Sequence, residues 1–119
     1  MIEECPYTDV AQWRRAAARE RVALADTRET RWFRYGELAC AGLLALQGGA
    51  RIKGVYVTPE ARGKGIGTAL TEFLIELTRS LGLGFVEAYT WNPGFYTARG
   101  FAVVGRNAFG ATKVRRRFR

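Results

Sequence analysis

The reading of the fold turns on Val55-Tyr56-Val57-Thr58-Pro59-Glu60-Ala61-Arg62-Gly63-Lys64-Gly65-Ile66-Gly67-Thr68. A β-branched apolar run ends at a turn, and a glycine-rich basic loop then opens a strongly periodic helix. Gly63, Gly65 and Gly67 alternate, so that successive backbone N–H groups point into one concavity. The free N–H groups of the following helix and the positive end of its dipole aim at the same place. Such a place binds phosphate. Arg62 and Lys64 are expected to add mobile positive charge around it.

Two common phosphate loops are excluded. A Walker A loop needs Lys followed by Ser or Thr, and Lys64 is followed by Gly65. The dinucleotide fingerprint needs a third glycine where Thr68 or Leu70 stands. A flexible surface loop before an ordinary helix is the plain alternative, and the flanking elements weigh against it.

Outward from the loop, Ile66, Leu70, Phe73, Leu74, Leu77 and Leu81 give a helix over 67–81 one apolar face, and Gly82 follows as its C-terminal cap. Upstream, strands are predicted over 30–35, 38–47 and 52–57, joined at Gly36-Glu37 and Gly48-Gly49 into an antiparallel meander. Downstream, 85–91 reads as a strand set parallel to 52–57 by a right-handed crossover. A short helix over 93–99 ends at Gly100, and 101–104 and 111–118 form a closing hairpin around Arg106-Asn107. Before the meander, a helix is predicted from Thr8 to about Ala25, capped by Thr8 or Asp9, with Val10, Trp13, Ala17 and Leu24 on one face.

The 119 residues read as one domain over 1–119, and 48% hydrophobic content with 13% aromatics argues against disorder. The acidic start Met1-Ile2-Glu3-Glu4 is unlike a secretory signal, and no apolar run approaches a membrane span of about 20 residues. The chain is expected to be cytoplasmic, without a membrane partner. Cys5 and Cys40 are the only cysteines and there is no histidine. Zinc ligation and Ser-His or Cys-His nucleophiles are therefore not expected. Cys40 reads as a small core residue. The net charge of +8 attracts polyanions, and a phosphate-rich cofactor counts as one.

In its element order, and in Arg62, Gly65 and Gly67, the chain resembles the GNAT superfamily of acyl-CoA-dependent N-acyltransferases. The family's loop reads Arg/Gln-x-x-Gly-x-Gly/Ala, and the resemblance covers roughly residues 30 to 118. It implies an α/β (α+β) fold with a mixed central sheet of about six to seven strands, an antiparallel N-terminal meander, a glycine-loop helix crossover and a C-terminal hairpin. The N-terminal part departs from the family, leaving room for a short strand and one long or broken helix.

The resemblance also implies site residues. Backbone groups of Val55, Tyr56 and Val57 are expected to hold the pantetheine arm of acetyl-CoA, where strands 52–57 and 85–91 splay apart. Arg62, Gly63, Lys64, Gly65, Ile66, Gly67 and Thr68 are expected to hold the pyrophosphate. Tyr96 matches the family's Tyr-x-x-x-Gly-Phe segment, in which the phenol protonates the departing sulfur; a packed aromatic is the alternative. Asn92, four residues before Tyr96, resembles an asparagine that contacts the cofactor. For the base, Glu87 is the leading candidate, against a strand carboxylate paired with an arginine. Glu37 and Glu60 are weaker, and a water chain is a further route.

The tail Lys113 to Arg119 holds five basic residues in seven, read as a charged edge strand. The competing reading is a nucleic-acid contact made with the arginines of the first helix. Trp13, Trp32 and Trp91 are mostly assigned to interior packing. The function expected is transfer of an acetyl group from acetyl-CoA directly to a primary amine of a small molecule, peptide or protein. An amine on a modified nucleic acid, or a non-catalytic acyl-CoA or nucleic-acid binding module, stays open beside it. Monomer and homodimer are equally open.

Overall fold

The computed structural model describes residues 1–26 and 29–118. Its seven strands are β1 (Ile2–Cys5), β2 (Thr30–Tyr35), β3 (Ala39–Leu46), β4 (Gly49–Val57), β5 (Phe85–Thr90), β6 (Ala102–Arg106) and β7 (Thr112–Arg117). They form one mixed sheet in the order β1-β2-β3-β4-β5-β7-β6. Pairing is antiparallel except between β4 and β5, the two strands joined by the crossover helix α3 (Ile66–Ser80). Meander, crossover and C-terminal hairpin are thus all present.

Helix α3 buries Ile66, Leu70, Leu74 and Ile75 against Phe33, Ala41, Ile52 and Val86 of the sheet. Thr71 and Thr78 share this buried face because their hydroxyls donate to the Gly67 and Leu74 carbonyls at 2.9 and 2.8 Å. The helix stops at Gly82, whose φ of +75° lets Leu83 N–H reach the Thr78 carbonyl at 3.4 Å. The opposite face of the meander is covered by the N-terminal segment, where Val10, Trp13, Ala17 and Leu24 pack on Trp32, Cys40 and Tyr56. Trp13 and Trp32 are core residues; Trp91 is half exposed.

The N-terminal helix is broken, not continuous. It comprises α1 (Tyr7–Val10), a 3₁₀ turn (Ala11–Trp13) and α2 (Arg14–Arg19), and neither Thr8 nor Asp9 caps it, since Pro6 holds that place. The reason is on the sequence: one turn beyond buried Ala17 come Glu20 and Arg21, so a continued helix would press charges into the core. The chain turns out and delivers Leu24 from a segment without regular structure. Strand β4 begins at Gly49, three residues before the expected Ile52. Only glycine fits there, because a Cβ would stand 2.5 Å from the Phe85 ring.

The basic tail is corrected as well. Strand β7 lies between β5 and β6, so it is not an edge, and β6 is the exposed border of the sheet. Val114 turns into the core while Lys113 and Arg115 face the opposite side. Arg119 lies outside the described residues.

One irregularity shapes the middle of the sheet. Cys40 pairs with Tyr56 and Gly42 with Lys53, leaving Gly54 and Val55 of β4 opposite Ala41 alone. This β-bulge carries Gly54 at φ +60°. A Cβ at Gly54 would lie 2.7 Å from Trp32 and 2.9 Å from Leu24, whereas one at Gly63 (φ +78°) would meet nothing within 4 Å. Gly54→Ala is therefore expected to cost about 2–4 kcal/mol, strain plus overpacking, and Gly63→Ala only about 1–2 kcal/mol. Urea unfolding of the two variants checks the difference.

Candidate active site

The ladder between β4 and β5 runs only from Gly49↔Phe85 to Arg51↔Glu87. Beyond it the bulge bends β4 away, while β5 stays paired with β7 as far as Thr90↔Thr112. The strands part like a V, and the facing backbone groups of residues 53–57 have no β5 partner. The resulting cleft has a volume of about 480 Å³ and is lined by Ile52 to Val55 on one wall and Tyr89 to Trp91 on the other. Tyr96, from α4 (Pro93–Thr97), also lines it. Phe109 and Asn107 of the β6–β7 turn complete the rim.

Past the end of β4, a 3₁₀ turn over Pro59–Ala61 leads into the glycine loop. Gly63 and Gly65 take φ of +78° and +80°, and the space a side chain would fill beside each is open. Gly65 caps α3 without any side-chain hydrogen bond, so the first-turn N–H groups are uncommitted. Gly67 sits against Val57, with 3.4 Å between an added Cβ and the valine methyl. The cradle suits a phosphate-bearing group held by backbone donors. Arg62 has partners of its own: it clamps both carboxylate oxygens of Glu20 at 2.7 and 2.8 Å and donates to the Val57 carbonyl at 3.0 Å. It braces the loop against the end of α2; both cations are exposed, and Lys64 is the one without an ion pair among the described residues.

Tyr96 is held by its neighbours. Gly100, at φ +86°, reverses the chain after α4 so that Phe101 N–H reaches the Tyr96 carbonyl at 3.2 Å. The Phe101 and Phe95 rings then meet the phenol edge-on, each at 5.1 Å. This geometry explains the Tyr-x-x-x-Gly-Phe spacing. Among the described residues the hydroxyl has no hydrogen-bond partner. Burial pushes its pKa up to about 12, partly offset by the charge of Arg99, so it is a protonated donor at neutral pH.

Glu87 lies 1% exposed on β5, among cations. Arg51 donates from Nε (2.9 Å) and Nη2 (2.8 Å) to one carboxylate oxygen, and Arg115 donates to the other at 2.7 Å, with Lys113 at 3.8 Å. Burial alone would raise its pKa, but the hydrogen bonds from Arg115 and Arg51 and the charges of Arg51 and Lys113 outweigh it and hold the carboxyl below its ordinary range. Such a group is a weak proton acceptor. It reaches the cleft only through Arg51, which lines it.

Thus the structure brings together Val55, Tyr96 and the end of β4 around one cleft, with the glycine loop beyond Val57. The Tyr56 ring is buried in the second core, so only its backbone is available. Asn92 is exposed at the start of α4, its N–H spent on Thr90 Oγ1 at 2.9 Å. Cys40 is buried and its pKa is pushed by burial to about 12. Sequence reasoning missed Gly54, Arg51, Lys53 and Arg21. A lone glycine inside a strand pattern signals a bulge; nothing local joins Arg21 to β4.

A mixed sheet that splays beside a glycine-loop helix defines the acyl-CoA N-acyltransferase class of fold. The description "Acetyltransferase (GNAT) domain" matches residues 18–103, more than half of the chain, and the chain belongs to this family. It is 36% identical over 59 residues to peptidyl-lysine N-acetyltransferase YjaB of Salmonella typhimurium, a stretch covering 50% of this chain and 41% of that protein. Among solved structures, a GNAT-family acetyltransferase from Staphylococcus aureus superposes with a TM-score of 0.78 at 13% identity, over 100% of this chain and 99% of that one. N-acetylglutamate synthase from Neisseria gonorrhoeae, complexed with coenzyme A and N-acetyl-glutamate, superposes at 0.79 and 20% identity, over all of this chain but 35% of that one. The chain thus spans less than half the length of that synthase and of the curated relative it matches. No helix among the described residues is long and apolar enough to cross a membrane.

The Glu87 cluster carries a pH signature. A depressed carboxylate contributes stability above its unfolded pKa, roughly 4.3, and loses it as pH falls through the lower folded value. Glu87→Gln should lower stability at neutral pH and flatten the acid limb below about pH 4. Urea midpoints from pH 3 to 7 measure both.

Proposed function

We propose that the chain transfers an acetyl group from acetyl-CoA directly to a primary amine of a small molecule, peptide or protein. The observation that carries the proposal is the V between β4 and β5, with an open backbone cradle past one end and a protonated phenol inside. Gly63 to Thr68 suit the pyrophosphate and the free edge of 53–57 suits the pantetheine amides. When bound, acetyl-CoA supplies an activated acyl group as a thioester.

The amine nitrogen bonds to the carbonyl carbon, the C–S bond breaks, and the proton lost by the amine ends on the sulfur. Tyr96 holds its proton at Oη, in place to donate a hydrogen bond to the departing sulfur. Free thiols titrate near 8.5, far below this phenol, so Tyr96 acts as donor while the net proton moves through water. Arg51 and Lys53 lie beside the cleft, and their charge favours the neutral form of an incoming amine. The expectation that Glu87 is the base stays a proposal; its ion pairs favour a positioning role, holding Arg51 against the cleft. Among the described residues no cysteine or serine lines the cleft, and the Thr90 hydroxyl that does so accepts from Asn92 N–H; this supports direct transfer over a covalent enzyme intermediate. The relatives' names give a peptidyl lysine in one case and N-acetyl-glutamate in the other, each an amine or the acetylated form of one. Lys113 and Arg115 are turned to Glu87 and Arg116 to the Arg99 carbonyl, so β7 gives no support to nucleic acid as partner.

Appearance of free thiol from acetyl-CoA with an amine panel tests the proposal. Tyr96→Phe should lower turnover by roughly one to three orders of magnitude with coenzyme A affinity intact. Gly65→Glu, which puts bulk and negative charge into the cradle, should abolish coenzyme A binding in a folded protein. Undiminished turnover in the first variant would remove Tyr96 from the reaction, and unchanged affinity in the second would overturn the cradle.

A further inference from the structure

We infer that the acceptor is a small amine carrying its own carboxylate or phosphate, selected by Arg21 together with Arg51 and Lys53. The inference rests on the acetyl-transfer reading above and names the substrate class of that site. Charge is the first ground. Arg21, Arg51 and Lys53 all line the cleft, and no described lining residue is acidic. The carboxylate paired with Arg51, Glu87, is shared with Lys113 and Arg115, so three cations divide one negative charge. Arg51 uses Nε and Nη2 on that carboxylate and keeps Nη1 free of any partner among the described residues. Among the described residues neither Arg21 nor Lys53 forms an ion pair. An amine in water is itself a cation at neutral pH, and this cleft repels it unless a second, anionic group offsets the repulsion.

The second ground is independent of charge. Arg21 alone among the described non-glycine residues has positive φ, at 63°. It closes α2 with its N–H on the Ala18 carbonyl at 3.1 Å, while Val22 N–H reaches the Ala17 carbonyl at 3.0 Å. That is the left-handed helix stop for which glycine is preferred. An arginine there is strained, and strain of this kind gathers at functional sites. Its guanidinium lies over the Trp91 ring at 5.0 Å, at the rim of the cleft. Folding alone would favour glycine at this position; the side chain answers to the cleft.

The test compares amines of matched size with the full chain and acetyl-CoA: ethanolamine as the neutral-tailed member, β-alanine for a carboxylate and phosphoethanolamine for a phosphate. The better anionic amine should exceed ethanolamine in kcat/KM by about tenfold or more, and the arms decide which anion is read. Arg21→Gly should erase most of that preference through KM, leave coenzyme A affinity unchanged and unfold at the same or a higher temperature. Lys53→Met, which leaves the helix stop untouched, should shift the preference in the same direction. Equal or better use of ethanolamine by the wild type, or a preference untouched by both substitutions, would overturn the inference. If no amine is acetylated, isothermal titration of the amines in the presence of coenzyme A decides. Tight binding of an anionic amine that Arg21→Gly weakens would uphold the cleft's selectivity while the transfer reading fails; absence of any such binding would sink both.

Discussion

At Gly54 the backbone takes a φ of +60°, and β4 sets two residues against one of β3. The strand bends away from β5 after three paired positions, and the rest of the site is arranged around that parting. Facing strand edges normally pair, because a buried N–H or carbonyl without a partner costs about 1–3 kcal/mol. Here they stay apart because Trp32, packed against Leu24 and the N-terminal segment, occupies the position next to the bulge, while the ladder with β7 keeps β5 in the sheet as β4 bends away. The open cleft lets water satisfy the free groups, and an extended amide-bearing chain fits the same donors and acceptors. The N-terminal segment thus props the cleft open from behind, and through Glu20 it also steadies Arg62 at the head of the glycine loop.

Charge is distributed with the same economy of position. A net charge of +8 in 119 residues invites a polyanion reading, yet many of the cations have assigned partners. Arg31 holds Glu4, Arg34 holds Glu3, Arg62 holds Glu20, and three cations converge on Glu87. The exposed pairs contribute little stability each. The Glu87 cluster differs, because a carboxylate shut away from water needs its hydrogen bonds to remain ionised. What it secures is the orientation of Arg51, whose guanidinium also lies 5.1 Å from the Tyr89 ring across the mouth of the V.

Much of the fold was legible because its signals are local. The 30–35 strand and the start of the 85–91 strand follow from their aromatic and β-branched residues between turn signals, and α3 from a three-four apolar spacing ended by Gly82. The glycine loop and Tyr96 were legible for a related reason, since a left-handed glycine and a chain reversal leave a mark within a few residues. The N-terminal break was legible in principle from Glu20 and Arg21, whose charges interrupt the apolar face, but a pattern averaged over 18 residues hides one bad turn. Strand order was not legible. Whether β7 is an edge depends on which partner β5 accepts, and basic alternation suits either a solvated edge or a strand facing a buried carboxylate. The parts played by Arg21, Arg51 and Glu87 were hidden likewise, because contacts between residues 36 and 28 positions apart leave no trace in spacing.

The proposed holder of the acyl donor is the set of backbone groups exposed by the parting of β4 from β5, together with the cradle before α3. Amide hydrogen exchange read by mass spectrometry, with and without coenzyme A, reports on those groups. Protection should rise in segments 53–57 and 63–68, with little change in β2 and β3, whose ladders are already complete. Unchanged exchange in both segments at saturating coenzyme A, or protection confined to another face of the sheet, would contradict it.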